Sequence, residues 1–245
     1  QGALVDAPDG SWWFYHFQST PVLGRVLHLQ PAYWYDDWLT IGQDWDGNGI
    51  GEPVGQWHKP IASTGRALPQ TDDDFETGIG LQWQWNHDPD QSHWSTTKRK
   101  GWLTIDAQPA DSLKDCRNML TQMVIGYQSE STTLVTTQGD CFAGLCCTGK
   151  QFRAIGLAKD GIYTEVDGKR QLIAHGSYKQ LWLRLTDDNR QNRHTLAYST
   201  DGQHFTTAGL PFSMQQAFWK GIRVGLFCYG NNGNAQFDFF KQEVK

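Results

Sequence analysis

The sequence predicts an all-β protein: a β-sandwich over residues 73–245, a smaller strand-rich unit over residues 1–60, and a linker at 61–72 between them. Three observations carry this reading. From Asp73 onward, apolar runs recur at the ~8–12-residue spacing of sandwich strands. Asp-Gly turns punctuate them, at Lys159-Asp160-Gly161, Val166-Asp167-Gly168 and Thr200-Asp201-Gly202. Strand and helix patterns do not alternate, which argues against a parallel α/β sheet.

Composition narrows the function classes. The 245 residues include 12 Trp; aromatic side chains make up 13% and charged ones 19%. A Trp face with its N–H suits sugar recognition as well as it suits core packing. The formal net charge is −5, with no basic run and no aromatic–basic interleaving, so nucleic acid is not an expected partner. No apolar run approaches the ~20 residues of a membrane helix. No signal-peptide pattern is present and residues 1–6 already read as a strand, so the start is expected to be processed or truncated. The five Cys are odd in number and match no zinc spacing. Cys146 and Cys147 are neighbours in an apolar strand and would point to opposite faces, as buried free thiols.

In the first unit, Ala3-Leu4-Val5 leads through Ala7-Pro8-Asp9-Gly10 to a strand at 12–17. Pro presets φ in that turn and Gly accepts a positive φ. The next strand, at 24–31, alternates so that Arg25 shares a face with Leu27 and Leu29. An inward Arg needs a carboxylate or a ligand; the alternatives are a structural ion pair or an edge position. Asp44-Trp45-Asp46-Gly47-Asn48-Gly49 has the D-x-D-x-N-G spacing of the first half of a calcium loop. The twelfth position is Gly55 rather than Glu. Either a calcium ion is held by Asp44, Asp46 and Asn48, or the segment is a tight Asx/Gly turn. Periodicity is lost from His58 to Asp72, where Pro60, Gly65 and Pro69 mark the linker.

In the second unit, Leu81-Gln82-Trp83-Gln84-Trp85 alternates like a half-buried strand. It breaks into Asn86-His87-Asp88-Pro89, a polar loop presented from a strand end. Further strands are expected at 102–105, 119–125, 131–137, 143–148, 152–158, 161–166, 181–186, 194–199, 223–228 and 236–241. Residues 214–219 suggest a short helical turn.

These stretches together resemble glycoside hydrolase family 43, the β-xylosidase and α-L-arabinofuranosidase family. Gln1-Gly2-Ala3-Leu4-Val5-Asp6, Trp12-Trp13-Phe14-Tyr15-His16-Phe17-Gln18, Gly24-Arg25-Val26-Leu27-His28-Leu29-Gln30-Pro31 and Gly47-Asn48-Gly49-Ile50-Gly51-Glu52-Pro53-Val54 look like the last blade of its five-bladed β-propeller. Asp74-Phe75, Gly80-Leu81-Gln82-Trp83-Gln84-Trp85-Asn86-His87 and Gly225-Leu226-Phe227 look like its C-terminal β-sandwich. The resemblance spans nearly the whole chain, and the Gly80-to-His87 string is its most specific part. It implies a concanavalin-like (jelly-roll) β-sandwich preceded by a partial β-propeller blade.

The resemblance also implies an inverting glycosidase. An Asp base and a Glu acid act from opposite sides of the sugar, their carboxyls ~6.5–9.5 Å apart, and a second Asp tunes the acid. In the family these residues come from earlier blades, so this chain is expected to be a C-terminal portion that lacks them and is inactive alone. Asp6, Asp9 and Glu52 do not match the family's catalytic positions. The family's propeller-centre His, a metal ligand expected just before Gln1, is absent too. Arg25 resembles the Arg at the floor of the family's sugar pocket. Asn86 and His87 resemble the sandwich loop that closes that pocket; the other reading of this loop is a surface turn with local hydrogen bonds. The implied partners are a xylo- or arabino-oligosaccharide and the remaining propeller blades of a parent protein. The implied location is secreted or periplasmic.

Three functions compete: part of an exo-acting hydrolase of plant hemicellulose, a non-catalytic carbohydrate-binding sandwich, and a purely structural sandwich. Exposed aromatics on one face or rim would mark the second, and Trp94, Trp182 and Trp219 are the residues that discriminate.

Overall fold

The computed structural model describes residues 1–63, 65, 67–215 and 217–245. Two compact units divide the chain: Gln1–Thr20 with Arg25–Pro69, and Pro21–Gly24 with Gln70–Lys245.

The first unit is a four-stranded sheet in sequential order: β1 (Gly2–Asp6), β2 (Trp12–Thr20), β3 (Gly24–Tyr35) and β4 (Trp38–Ile41). The β1–β2 turn forms where Pro8-Asp9-Gly10 was expected to turn. Gly10 N–H donates to Ala7 O at 2.9 Å, and the Asp9 carboxylate accepts from Ser11 N–H and Oγ–H at 2.9 and 2.6 Å. Asp36 and Asp37 both take positive φ, so β3 and β4 are joined by a two-residue hairpin. Aromatic side chains on this hairpin face solvent: Tyr35 is 76% exposed and Trp38 74%.

The second unit contains β5 (Gln84–Trp85), β6 (Trp94–Ser95), β7 (Leu103–Asp106), β8 (Met119–Met123), β9 (Gln128–Gln138), β10 (Cys141–Thr148), β11 (Phe152–Ala158), β12 (Gly161–Val166), β13 (Lys169–His175), β14 (Leu181–Asp188), β15 (Arg193–Ser199), β16 (Thr206–Thr207), β17 (Arg223–Gly230) and β18 (Asn234–Val244). Among the described residues these form two seven-stranded sheets, β13-β12-β11-β10-β17-β8-β5 and β16-β15-β14-β9-β18-β7-β6. Their inner faces interdigitate through Leu145, Leu183, Leu226 and Phe237. The reverse face of the β10–β17 sheet carries a second cluster, Met119, Phe142, Cys146, Phe227 and Tyr229, covered by Leu113 and Cys116. Every residue of β10 is therefore buried. Cys147 lies in the inter-sheet core and Cys146 in the outer cluster, as the strand period requires. All five thiols are free and buried.

The structure departs from the sequence reading in several places. The strand expected at 81–85 is reduced to Gln84–Trp85. Leu81 and Gln82 lie in a turn, and Leu81 is fully exposed, so the alternation there is not a buried stripe. Strand β13 begins Lys169-Arg170-Gln171 and escaped the pattern because it is an edge strand with its first three residues exposed. The helical turn expected at 214–219 is not formed by the described residues; Phe218–Lys220 make a turn, and Gln216 lies outside the described residues. Thr71 and Asp72, read as linker, are bound into the sandwich unit. Thr71 O accepts from Gln122 Nε2–H at 2.9 Å, and Asp72 Oδ1 accepts from Gln242 N–H at 2.9 Å. No helix among the described residues is long and apolar enough to cross a membrane.

Candidate functional site

The site in the sandwich unit is built outward from Asp73. Its Oδ1 accepts from Phe75 N–H at 2.9 Å; its Oδ2 accepts from Gly80 N–H at 2.9 Å and Trp83 Nε1–H at 2.8 Å. One carboxylate thereby fixes a seven-residue loop and pins Trp83 beside Phe240, ring centroids 4.9 Å apart. From Trp83 the chain enters β5, where Gln84 pairs with Thr121 and Trp85 with Leu120. Asn86 N–H donates to Met119 O at 2.9 Å, which sets the point where the chain leaves the sheet. The Asn86 and His87 side chains are exposed there. His87 Nε2–H donates to Lys114 O at 2.8 Å, which fixes the tautomer, and Asn86 Nδ2 lies 3.2 Å from the same ring nitrogen.

Strand period places Thr121, Thr148 and Arg223 on the outer face beside this loop, with Arg223 paired to Thr148. Arg223 is only 9% exposed. Its Nε–H donates to Thr121 Oγ1 at 2.8 Å and its Nη2–H to Thr121 O at 3.1 Å. Burial pushes its pKa down from the ordinary arginine value. The loop before β17 completes the wall. Gly24 and Gly221 take positive φ where their backbones meet. A Cβ on Gly24 would lie 2.4 Å from Gly221 N, and one on Gly221 2.6 Å from Leu23 C. Ile222 N–H donates to Val22 O at 2.7 Å. This anchorage holds out Phe218, 61% exposed, and Trp219, 57% exposed, their rings 6.2 Å apart.

Trp85, Asn86, Phe218, Trp219, Lys220 and Arg223 thus line a pocket of about 320 Å³. Flat aromatic faces, an amide and a guanidinium are groups that hold a polyhydroxylated ring. No carboxylate is among the residues lining it, so the pocket can bind a sugar but lacks the acid–base pair of hydrolysis. A larger cleft, about 710 Å³, opens at the opposite end of β10 and β17. Three of its aspartates are engaged internally: Tyr163 O–H donates to Asp160 Oδ2, Asn231 Nδ2–H to Asp140 Oδ2 and Ser112 Oγ–H to Asp115 Oδ2, each at 2.8 Å.

The other expected residues fall as follows. Arg25 belongs to the first unit, is exposed, and lies over the Phe17 ring at 4.3 Å. Leu27, on the same face, is exposed as well. Asp44, Asp46 and Asn48 are brought together, with their oxygens turned onto the backbone. Asp44 accepts from Gly47, Asn48 and Gly49 N–H at 2.9, 3.1 and 2.9 Å, and Asn48 Oδ1 accepts from Ile50 N–H at 2.7 Å. These bonds, Gly49's foremost, hold the Asp44 carboxyl below its ordinary pKa. That is the geometry of the Asx/Gly turn. Among the described residues no group of three or more His, Cys, Asp or Glu is placed to hold a metal ion. Trp94 is half-buried against Trp85, ring centroids 5.2 Å apart, and Trp182 is half-buried too. Of the three tryptophans only Trp219 presents itself to solvent. Arg223, Phe218 and Lys220 were not singled out from the sequence. Arg223 opens an otherwise apolar run, the same signal that drew attention to Arg25.

The family model for the β-xylosidase C-terminal concanavalin A-like domain matches residues 72–243. A putative β-xylosidase of Xylanibacter ruminicola is 61% identical over 225 residues, covering 92% of this chain and 43% of that protein. A β-xylosidase of Formosa agariphila is 32% identical over 274 residues, covering 97% of this chain and 46% of that protein. The chain thus spans less than half the length of these curated relatives. Among solved structures, a bifunctional GH43-CE protein of Bacteroides eggerthii matches all of this chain with a TM-score of 0.83 at 27% identity, over 34% of its own length. A GH43 protein of Bacillus licheniformis shares the fold over the whole chain, with a TM-score of 0.82 at 22% identity, over 53% of its own length. The chain therefore belongs to glycoside hydrolase family 43, as a C-terminal portion that carries the β-xylosidase C-terminal concanavalin A-like domain.

Proposed function

We propose that this chain is the C-terminal part of an exo-acting glycoside hydrolase that cleaves xylosidic or arabinofuranosidic bonds, and that its sandwich lines a sugar pocket. The observation that carries this reading is the convergence of Asn86, Trp219 and Arg223 on one pocket at the end of the outer sheet face. The naming of two relatives as β-xylosidases supports the substrate class. The pocket supplies binding surface and orientation; the carboxylates that break the bond come from elsewhere in the parent protein. Positioning of this kind lowers the barrier by holding the sugar in reactive geometry.

The test is a chimera. Residues of this chain replace the matched segment of the Xylanibacter ruminicola relative, and hydrolysis of aryl β-xyloside and aryl α-arabinofuranoside is measured. The chimera is expected to hydrolyse one of the two, Trp219→Ala within it to lower kcat/KM about tenfold or more, and the isolated chain to hydrolyse neither. An unchanged kcat/KM in Trp219→Ala would sink the role given to the pocket. The exposure of Phe218 and Trp219 also favours a second reading, a carbohydrate-binding module without a catalytic part. Xylo-oligosaccharide binding by the isolated chain, with Trp219→Ala leaving chimera kinetics untouched, would select it.

A further inference from the structure

The pocket beside Asn86 has a charge pattern opposite to that of the chain. The sequence holds 26 Asp and Glu against 21 Lys and Arg. The residues lining the pocket include two cations, Lys220 and Arg223, and no Asp or Glu. A third cation, Lys150, reaches the Phe218 ring at 5.5 Å. Arg223 is the informative member. It is nine-tenths buried, and its hydrogen bonds run to neutral acceptors of Thr121. Among the described residues no carboxylate lies within ion-pair distance of it. Burying a cation without a counter-charge is costly, and a guanidinium has five N–H donors, more than Thr121 takes up. Of all side chains it is also the best matched to a planar carboxylate.

The rest of the lining says what carries that carboxylate. Trp85, Phe218 and Trp219 offer flat apolar faces, Asn86 offers an amide donor and acceptor for hydroxyls, and a volume of about 320 Å³ is on the scale of a sugar ring. We propose that this pocket selects an acidic sugar, a hexuronic acid residue whose ring lies on Trp219 and whose carboxylate meets Arg223 and Lys220. The inference rests on the reading of the pocket as a sugar site and adds to it the charge of the sugar.

Calorimetry on the chain itself tests it, with a glucuronic-acid-substituted xylo-oligosaccharide against the unsubstituted oligosaccharide of the same length, at low and high salt. A charge-assisted contact predicts that the acidic ligand binds about tenfold or more tightly than the neutral one. High salt should narrow the gap. Arg223→Met should abolish the preference, bringing the affinities for the acidic and the neutral ligand to within about twofold of each other. Should that variant fail to fold, Lys220→Gln, at an exposed position, decides: the preference must shrink. Equal binding of the two ligands, or a preference indifferent to salt and to both substitutions, overturns the acidic-sugar inference and leaves the sugar-site reading standing. Binding of neither ligand overturns both.

Discussion

The first unit and the outer face of the β10–β17 sheet are both rich in aromatic residues, yet they dispose of them in opposite ways. On the β3–β4 hairpin, Tyr33, Trp34, Tyr35 and Trp38 are exposed. On the sandwich, Phe142, Phe227 and Tyr229 are buried on a face that would be bare without the segment carrying Leu113 and Cys116. The difference lies in what covers each sheet. Two sheets packed face to face bury both inner surfaces, and one added segment closes a third. Within this chain the four-stranded sheet buries Trp13 and Ala32 but leaves the hairpin aromatics out. Aromatic content alone therefore does not separate core from surface. Phe218 and Trp219 are exposed for a different reason from the hairpin aromatics: they lie in the turn before β17, which is anchored at Gly221 and Ile222.

Core substitutions draw this contrast most sharply. Phe227→Ala empties a fully buried site against Phe142, ring centroids 5.1 Å away, and should destabilise the sandwich by about 3–5 kcal/mol in urea unfolding. Trp38→Ala, on the exposed hairpin, should change stability by less than about 0.5 kcal/mol. Comparable losses at the two positions would mean that the hairpin aromatics are covered in solution.

Carboxylates repeat the contrast. Asp187 and His194 are both fully buried, with Asp187 Oδ1 2.7 Å from His194 Nδ1. Asn192 Oδ1 takes Met214 N–H at 2.9 Å and so must also accept from His194 Nε2–H at 3.0 Å. One proton is therefore held between Nδ1 and the carboxylate. Burial raises the Asp187 pKa, and the bond from His194 opposes that rise. Asp187→Ala leaves the imidazole without its partner and should cost about 3–5 kcal/mol. Asp44→Ala, in the exposed Asx turn, should leave the melting temperature close to that of the parent chain. A matching loss there would show that the Asp44 loop does more than turn.

The smallest effect is local. Asp90 precedes the turn Gln91–His93, and its carboxylate accepts from Ser92 N–H at 3.0 Å and Ser92 Oγ–H at 2.7 Å. These bonds, with help from His93, hold its pKa at about 2 against the ordinary 3.8. A depressed carboxylate pKa contributes stability that is present above 3.8 and lost as pH falls through about 2. The Ser92 amide proton should therefore titrate with a midpoint about 2 by NMR. A midpoint near 3.8 would mean that the cap is not formed in solution.

How far the sequence could be read depends on how local each signal is. Hairpin turns at Asp-Gly steps and strands with period-two burial were legible, because both arise from backbone preferences within a few residues. Leu81 misled, because the Asp73 carboxylate, eight residues away in sequence, captures the Gly80 and Trp83 N–H groups and bends the chain out of the strand. Arg25 and Arg223 carry the same local signal, an Arg beside apolar residues in a strand. One is exposed over Phe17 and the other is buried on Thr121, where the outer sheet face and the loop before β17 surround it.

The sequence by itself determined the all-β class, the existence of two units, the family, and the polar Asn86-His87 loop at the end of a strand. These follow from periodicity, turn chemistry and contiguous motifs, all encoded over short stretches. Only the tertiary structure decided that this loop shares a pocket with Trp219 and Arg223. That meeting depends on β5, β8 and β17 lying side by side, with Arg223 reaching Thr121 across 102 residues of chain. Such pairings are selected by the packing of whole sheets, and no local pattern in the chain records which distant strand will be the neighbour.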